Sequence, residues 1–224
     1  MSTPSLLETV EVETGGNPLG SVIWMHGLGA DAHDFEPLVP ELHELIGLPL
    51  RFVFPNAPVR PITLNAGYAM RAWFDIVSFA GPPDETATRA SAESIRALMR
   101  RENERGIASD RIVLAGFSQG GAMAVFTGVR HPERIAGIMG LSCFDPLPGT
   151  LTVERTDANQ QTPIFRGHGT QDPMVPLPRA RKLHTELTAL GYAVEWHDYP
   201  MPHSVSMEEV RDVAAWLKRA FTPV

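Results

Sequence analysis

The chain has 224 residues, 43% of them hydrophobic, with 20 prolines and 19 glycines scattered along it, so we expect a single globular domain over residues 1–224. A formal net charge of -7, without any long run of lysine or arginine, argues against nucleic acid and anionic lipid as partners. The first residues lack the basic and apolar regions of a secretory signal, and no stretch approaches the ~18 apolar residues of a membrane span. We therefore expect a cytoplasmic protein without integral membrane association.

Cys143 is the only cysteine in the chain. A single thiol excludes an intrachain disulfide and a zinc site built from cysteines. The residue ends an apolar run, and free cysteine is among the most buried residue types, so we expect it to act as a buried small hydrophobe.

Short apolar runs rich in valine and isoleucine predict strands that are buried on both faces of a parallel sheet. In chain order these runs are residues 21–25, 51–54, 111–115, 135–141 and 163–166. Residues 193–199 alternate between apolar and polar side chains, which predicts a last strand at or near an edge.

Segments with helical spacing lie between these runs, at residues 86–106, 120–130, 178–190 and 207–221. The alternation of strands and helices predicts an α/β fold, with a mostly parallel twisted sheet and helices on both faces. Ligands of such sheets bind beyond the carboxyl ends of the strands, so functional residues should directly follow strands.

The strongest motif is Gly116-Phe117-Ser118-Gln119-Gly120, which matches the G-x-S-x-G pattern of a nucleophile elbow. A predicted strand precedes it and a predicted helix follows, and this context distinguishes an elbow from a chance Gly-Ser-Gly turn. Glycine is needed at both flanking positions because the backbone of the turn closely approaches its neighbours. The motif predicts Ser118 as the nucleophile of a serine hydrolase.

The general base should follow the nucleophile in the chain, since the order in this fold is Ser, then Asp or Glu, then His. The base should also follow the acid, and this order leaves three candidate histidines, namely His184, His197 and His203. His184 lies within a predicted helix and His197 within the last predicted strand. His203 lies in a short loop between that strand and the last helix, so we predict His203 as the base.

The acid of the triad should also follow a strand. Asp172 lies in a glycine-rich loop directly after the predicted strand at 163–166, so we predict it as the partner of His203. Asp145 and Asp157 are weaker alternatives, and Asp198 is the main rival because it lies only five residues before His203.

Two backbone amides are predicted to form the oxyanion hole. One belongs to Leu28, in the loop that follows the strand at 21–25, and the other to Gln119, directly after the nucleophile. His26 begins the same loop, and we expect it to brace the loop.

Five segments together closely resemble the carboxylesterase/acyl-protein thioesterase/lysophospholipase family of α/β-hydrolases. They are His26-Gly27-Leu28-Gly29, Pro55-Asn56-Ala57-Pro58 leading to Ala72-Trp73-Phe74-Asp75, Gly116-Phe117-Ser118-Gln119-Gly120-Gly121, His168-Gly169-Thr170-Gln171-Asp172 and Met201-Pro202-His203-Ser204. The resemblance covers nearly the whole chain. It implies an α/β-hydrolase fold without a large cap domain, with the long loop at 61–83 over the site, the same oxyanion donors, and Trp73 beside the acyl pocket.

The resemblance also implies a serine carboxylesterase that hydrolyses short- to medium-chain acyl esters without a cofactor or metal. An acyl-protein thioesterase or lysophospholipase with the same triad is the alternative. A homodimer is plausible from the resemblance alone. Residues 143–146 and 148–161 depart from the family pattern, so they could shape the rim of the pocket.

Other functions fit the sequence less well. A peptidase or a dienelactone-type hydrolase would use the same fold, but the latter group usually has cysteine where this chain has Ser118. A non-enzymatic binding module should lack a triad member, and no member is missing. Metal catalysis would require clustered ligands such as H-E-x-x-H, which the sequence lacks.

Overall fold

The structure, a computed structural model, describes residues 6–78 and 81–222. Its strands are β1 (Thr9–Glu13), β2 (Ser21–Met25), β3 (Arg51–Pro55), β4 (Val59–Ile62), β5 (Tyr68–Arg71), β6 (Ile112–Phe117), β7 (Gly137–Leu141), β8 (Ile164–Gly169) and β9 (Val194–Tyr199). Within the described residues, seven of these strands form one sheet in the order β1-β3-β2-β6-β7-β8-β9. Only β1 runs antiparallel to its neighbour in this sheet.

The central strands have few polar residues because both faces of the sheet are covered. Every residue of β2, β3, β7 and β8 is buried. The edge strand β9 has mostly half-buried residues, which explains its alternating pattern. The six predicted strands are therefore confirmed, with boundary shifts of a few residues at most.

Helices cover the two faces in separate groups. They are α1 (Val39–Ile46), α2 (Glu85–Glu104), α3 (Gln119–Gly128), α4 (Leu151–Glu154), α5 (Leu177–Ala189) and α6 (Met207–Phe221). Apolar side chains of α1 and α6 pack on one face of the sheet, and those of α2, α3 and α5 pack on the other. The four predicted helices are confirmed, and none of the described helices is long and apolar enough to cross a bilayer.

Several elements were not predicted from the sequence, among them β1, α1, α4 and the hairpin β4–β5. Strand β1 is a polar edge strand, and only Val10 and Val12 pack against the core. Helix α1 is short and ends at Gly47, which adopts a left-handed φ of 69°. The segment predicted as a long loop contains the antiparallel hairpin β4–β5, which Pro61 and the left-handed Ala66 make hard to recognise from sequence.

The strand order places the loops after β2 and β6 side by side. Strand β2 connects to β3 on one side of it, whereas β6 pairs with its other side in parallel register. The order of the sheet reverses between these two strands, and such a switch point opens a crevice beyond their carboxyl ends. The predicted oxyanion loop and the predicted nucleophile therefore lie next to each other.

Candidate active site

Ser118 occupies a strained turn between β6 and α3. Its backbone φ of 55° and ψ of -118° lie in a region that residues other than glycine rarely adopt. Such a backbone conformation costs about 1–3 kcal/mol of folding free energy. The flanking glycines permit this turn. A Cβ at Gly116 would lie 2.3 Å from the carbonyl of Gly120, and a Cβ at Gly120 would lie 2.1 Å from the carbonyl oxygen of Met25. The prediction that only glycine fits both positions is confirmed.

Asp172 and His203 form a buried hydrogen-bonded pair. The distance from His203 Nδ1 to Asp172 Oδ2 is 2.6 Å, and the aspartate side chain is fully buried. Asp172 Oδ1 accepts from the backbone amides of Met174 and Val175 at 2.8 and 2.9 Å. Because a carboxylate can only accept, Nδ1 of His203 carries a proton and Nε2 of the neutral ring is free to take one.

The loops that follow β8 and β9 touch where this pair forms. A Cβ at Gly169 would lie 2.4 Å from the carbonyl oxygens of both Met201 and Pro202. The amide of Gln171 donates to the carbonyl of Met201 at 3.1 Å. This close contact brings an acid and a base that are 31 residues apart in the chain to one place.

The rival acids are engaged elsewhere. Asp198 pairs with Arg181 and accepts from the indole of Trp196, so its carboxylate lies along the edge strand β9. Asp145 accepts from a backbone amide two residues further on, and Asp157 begins a single turn of 3-10 helix. The structure thus pairs His203 with Asp172.

The rival bases have structural partners. His197 lies against Phe165 with ring centroids 5.1 Å apart, and its Nε2 is 2.9 Å from Glu195. His184 lies on α5 and packs against the ring of Trp196. Neither lies in the wall of the cavity that contains Ser118.

Ser118 and His203 line a cavity of about 230 Å³. Its walls are mostly apolar, with Asp34, Asn65 and Gln119 as further polar residues. The larger apolar side chains that line it are Leu28, Leu64, Ile76, Phe117, Phe144, Met174 and Val175. Within the part of the chain that the structure describes, the side chains of Ser118 and His203 are not hydrogen-bonded to each other. Such a contact often tightens only when substrate binds.

The two predicted oxyanion donors also lie in this cavity wall. Leu28 lies in the turn after β2, and Gln119 begins α3, so the positive end of the helix dipole points to the same place. A Cβ at Gly27 would lie 3.5 Å from Cβ of Ser118, which shows how closely the turn approaches the elbow. Among the described residues, neither the Leu28 nor the Gln119 amide donates to a protein acceptor.

The family model described as Phospholipase/Carboxylesterase matches residues 8–221. The chain belongs to this family. This assignment confirms the predicted α/β-hydrolase fold and the predicted serine hydrolase.

Relatives of this phospholipase/carboxylesterase family member include acyl-protein thioesterases. Acyl-protein thioesterase 1 of Mycosarcoma maydis is 36% identical over 96% of this chain and 98% of its own length. The protein of that name from Gibberella zeae is 38% identical over 91% of both chains.

Solved structures show the same fold. Arabidopsis thaliana SOBER1 superposes with a TM-score of 0.83 at 27% identity, covering 91% of this chain and 99% of its own. Zea mays acyl-protein thioesterase 2 superposes with a TM-score of 0.82 at 26% identity, covering 96% of this chain and 99% of its own.

The position predicted for Trp73 in this family member needs correction. The side chain is fully buried and does not line the cavity. Its indole N–H donates to the carbonyl of His26 at 2.9 Å, and its backbone amide donates to the side chain of Gln119 at 3.0 Å. Trp73 therefore lies behind the site, where its two hydrogen bonds link the oxyanion loop to the elbow. A buried indole N–H usually has such a hydrogen-bond partner.

The brace predicted for His26 is present. The amide of Ala57 donates to His26 Nε2 at 3.1 Å, so the ring proton must be on Nδ1, which donates to the carbonyl of Gly27 at 2.7 Å. Burial lowers the pKa of His26, which keeps the ring neutral. The neutral ring ties the loop after β2 to the loop after β3.

Several residues of the site escaped the sequence prediction. Ile76, Met174 and Val175 line the cavity, but only their positions shortly after recognised motifs could have indicated this. His168 is fully buried, and its Nε2 donates to the carbonyl of Val175 at 2.9 Å. Burial lowers its pKa, so His168 supports the Asp172 loop as a neutral ring.

Two further predictions concern Cys143 and the segment 143–161. Cys143 is fully buried and burial raises the pKa of its thiol, as expected of a small hydrophobe. Within residues 143–161, Phe144 borders the catalytic cavity, whereas Glu154 of α4 forms ion pairs with Arg89 and Arg130 away from it. Only the first part of this region therefore shapes the pocket.

Proposed function

We propose that this family member is an acyl thioesterase that also hydrolyses carboxylic esters, with Ser118 as nucleophile, His203 as general base and Asp172 as its orienting acid. The observation that carries the proposal is the buried Asp172–His203 hydrogen bond, in a cavity wall shared by His203 and Ser118. The match to relatives named acyl-protein thioesterase 1 favours the thioesterase over a short- to medium-chain carboxylesterase as the main activity. The general esterase activity is compatible with both.

Acylation begins when Nε2 of His203 takes the proton of Ser118 and the hydroxyl oxygen attacks the thioester carbonyl carbon. The backbone amides of Leu28 and Gln119 donate to the oxyanion that forms. A side-chain donor in such a position is typically worth about 2.7–4 kcal/mol of the barrier. When the carbon–sulfur bond breaks, His203 returns the proton to the leaving thiol and the acyl group remains on Ser118.

Deacylation repeats this sequence with water as the nucleophile. His203 takes a proton from water as the water oxygen attacks the acyl-enzyme carbonyl carbon. When the bond between that carbon and Ser118 Oγ breaks, His203 returns the proton to Ser118 and the carboxylic acid is released. Asp172 remains ionised throughout and stabilises the charged form of His203.

The apolar cavity accounts for the class of substrate. A hydrocarbon chain that leaves water for this cavity gains roughly 0.8 kcal/mol per buried methylene group. The chain of an acyl group attached to Ser118 would contact Leu28, Ile76 and Phe144. We propose a substrate whose acyl part is a saturated chain and whose leaving group is a thiol of a protein or small molecule.

A Ser118→Ala variant tests the proposal. We would measure kcat/KM on an octanoyl thioester of a cysteine-containing peptide and on p-nitrophenyl butyrate, without added metal. Loss of a triad nucleophile typically lowers kcat by about a millionfold, and labelling by a fluorophosphonate should also disappear. Ser94→Ala removes a hydroxyl from α2, where it donates to the carbonyl of Ala90, and should leave both rates unchanged.

Three results would contradict the proposal. The nucleophile is wrong if Ser118→Ala retains more than about a hundredth of the activity. The enzyme class is wrong if the wild-type protein neither cleaves these substrates nor reacts with the fluorophosphonate. The thioester preference is wrong if the matched octanoyl oxygen ester has the higher kcat/KM.

A further inference from the structure

A second cavity of about 260 Å³ lies directly beside the catalytic one. The catalytic cavity is the one lined by Ser118 and His203. The two cavities have Ile76 and Phe144 in common as wall residues. These two side chains therefore form the partition between them.

The ring of Phe144 is held from two directions. The guanidinium carbon of Arg179 lies 3.9 Å from the ring centroid, and the ring of Phe74 meets it edge-on with centroids 6.2 Å apart. Phe144 is only 6% exposed. Arg179 makes no side-chain hydrogen bond or ion pair with the described residues, so this cation–π stacking is its principal contact.

The backbone beneath the ring is also anchored. Ser142 adopts a left-handed φ of 46°. The carbonyl of Cys143 accepts from the buried guanidinium of Arg166 at 2.8 Å. Phe144 therefore projects from a turn that is fixed by a buried cation.

The volume of the catalytic cavity limits the acyl chain. A methylene group is similar in size to a water molecule, which occupies about 30 Å³ in the liquid. A cavity of about 230 Å³ thus accommodates a chain of roughly eight carbons. A chain of sixteen carbons needs about twice that space, which the two cavities provide only when they are joined.

The second cavity can accept hydrocarbon. Its apolar lining includes Phe74, Val77, Pro82, Pro146 and Leu183. Charged side chains also line it, namely Asp75, Asp84, Asp145, Arg179, Lys182 and Glu186. Of these, Lys182 is 67% exposed and Glu186 is 35% exposed.

We propose that Phe144, held by Arg179, sets the acyl-chain length of this enzyme. Chains of up to about eight carbons fit on the catalytic side of the ring, and longer chains require the second cavity. The proposal rests on the hydrolase activity proposed for Ser118. Phe144 is a specificity-determining residue in this account, and Arg179 positions it.

Chain-length profiles test the proposal. We would measure kcat/KM on acyl thioesters of four, eight, twelve and sixteen carbons for wild type and for Phe144→Ala, Phe144→Leu and Arg179→Met. Wild type should lose at least tenfold between eight and sixteen carbons. Phe144→Ala should gain at least tenfold on sixteen carbons, because each further buried methylene is worth about fourfold. Phe144→Leu and Arg179→Met should gain less, in the same direction.

Met174→Ala is the matched control. Met174 lines the catalytic cavity but does not border the second cavity, so its truncation enlarges the site without joining the two. It should give no gain on sixteen carbons. A fluorophosphonate with a sixteen-carbon chain provides a readout independent of turnover, and it should label Phe144→Ala at least tenfold faster than wild type.

The outcomes separate the two proposals. If four-carbon turnover depends on Ser118 but Phe144→Ala and Phe144→Leu keep the wild-type profile, the role of Phe144 is wrong and the hydrolase stands. The same holds if wild type cleaves sixteen carbons as well as eight, or if Met174→Ala gains as much as Phe144→Ala. If wild type cleaves no substrate of the series and is not labelled, the proposed function itself is wrong.

Discussion

Replacing Asp172 by asparagine tests how the protein sets the tautomer of His203. The asparagine has one acceptor oxygen and one NH2 group. The backbone amides of Met174 and Val175 both donate to Oδ1 of Asp172. The oxygen of the asparagine must take this position, because an NH2 group there would face two N–H donors. The NH2 group then faces Nδ1 of His203, which has to become an acceptor. The ring proton moves to Nε2, and the base can no longer take the proton of Ser118.

The expected loss is large and confined to catalysis. In other serine hydrolases this change lowers kcat about ten-thousandfold, which corresponds to about 5.5 kcal/mol of transition-state stabilisation. The free energy of unfolding should fall by only about 1 kcal/mol, because both backbone donors keep their acceptor. Steady-state hydrolysis of p-nitrophenyl butyrate and urea denaturation measure the two quantities.

Asp198→Asn is the matched control, because it removes one charge from the rival acid. Asp198 pairs with Arg181 on the edge strand, so kcat should remain within about twofold of wild type. The assignment of the acid is refuted if Asp172→Asn keeps more than a tenth of the wild-type kcat. It is also refuted if the control loses as much as the test variant.

Three further variants probe the support of the site. Trp73→Phe keeps a smaller aromatic ring but leaves the carbonyl of His26 without its donor, so we expect a loss of about 1–3 kcal/mol in urea denaturation together with a lower kcat. Trp196→Phe, near the surface, should cost less than half as much, and equal losses would contradict this. Gly120→Ala would place a Cβ 2.1 Å from a carbonyl oxygen of β2, so soluble expression or the thermal midpoint should fall sharply, whereas a wild-type midpoint would show that the turn relaxes. Burial raises the pKa of Glu209 from 4.5 to about 8, so between these values the folded protein retains a proton that the unfolded chain releases, and stability declines as the pH rises. In the wild type this decline in the free energy of unfolding is on the order of 4 kcal/mol between pH 5 and 8.5. Glu209→Gln should remove it, and an unchanged pH dependence would show that Glu209 is not its source.

The sequence was informative where both faces of an element are buried. The continuous apolar strands β2, β3 and β6 and the amphipathic helix α6 were predicted to within two residues. It was uninformative for β1, which is polar, and for the β4–β5 hairpin, which contains Pro61. Pairing with β3 stabilises β1, and that contact is not visible from the local sequence.

The candidate site divides in the same way. The G-x-S-x-G pattern around Ser118 is a local signal, because the flanking glycines are required by contacts within the turn and with the next strand. The partition at Phe144 has no local signal, since it depends on Arg179 and Phe74 reaching it from distant parts of the chain.

By itself, the sequence determined that a serine at a strand-to-helix turn would be followed by candidate acids and bases in the order a triad needs. Only the tertiary structure decided which of them meet, because the loops after β8 and β9 touch and aim Asp172 and His203 at each other, while the pleat of β9 directs Asp198 to Arg181. It also placed Trp73 behind the pocket instead of in its wall. Spacing along the chain indicates which face of a strand or helix a side chain occupies. It does not show which distant segments come into contact, and those contacts settle such questions.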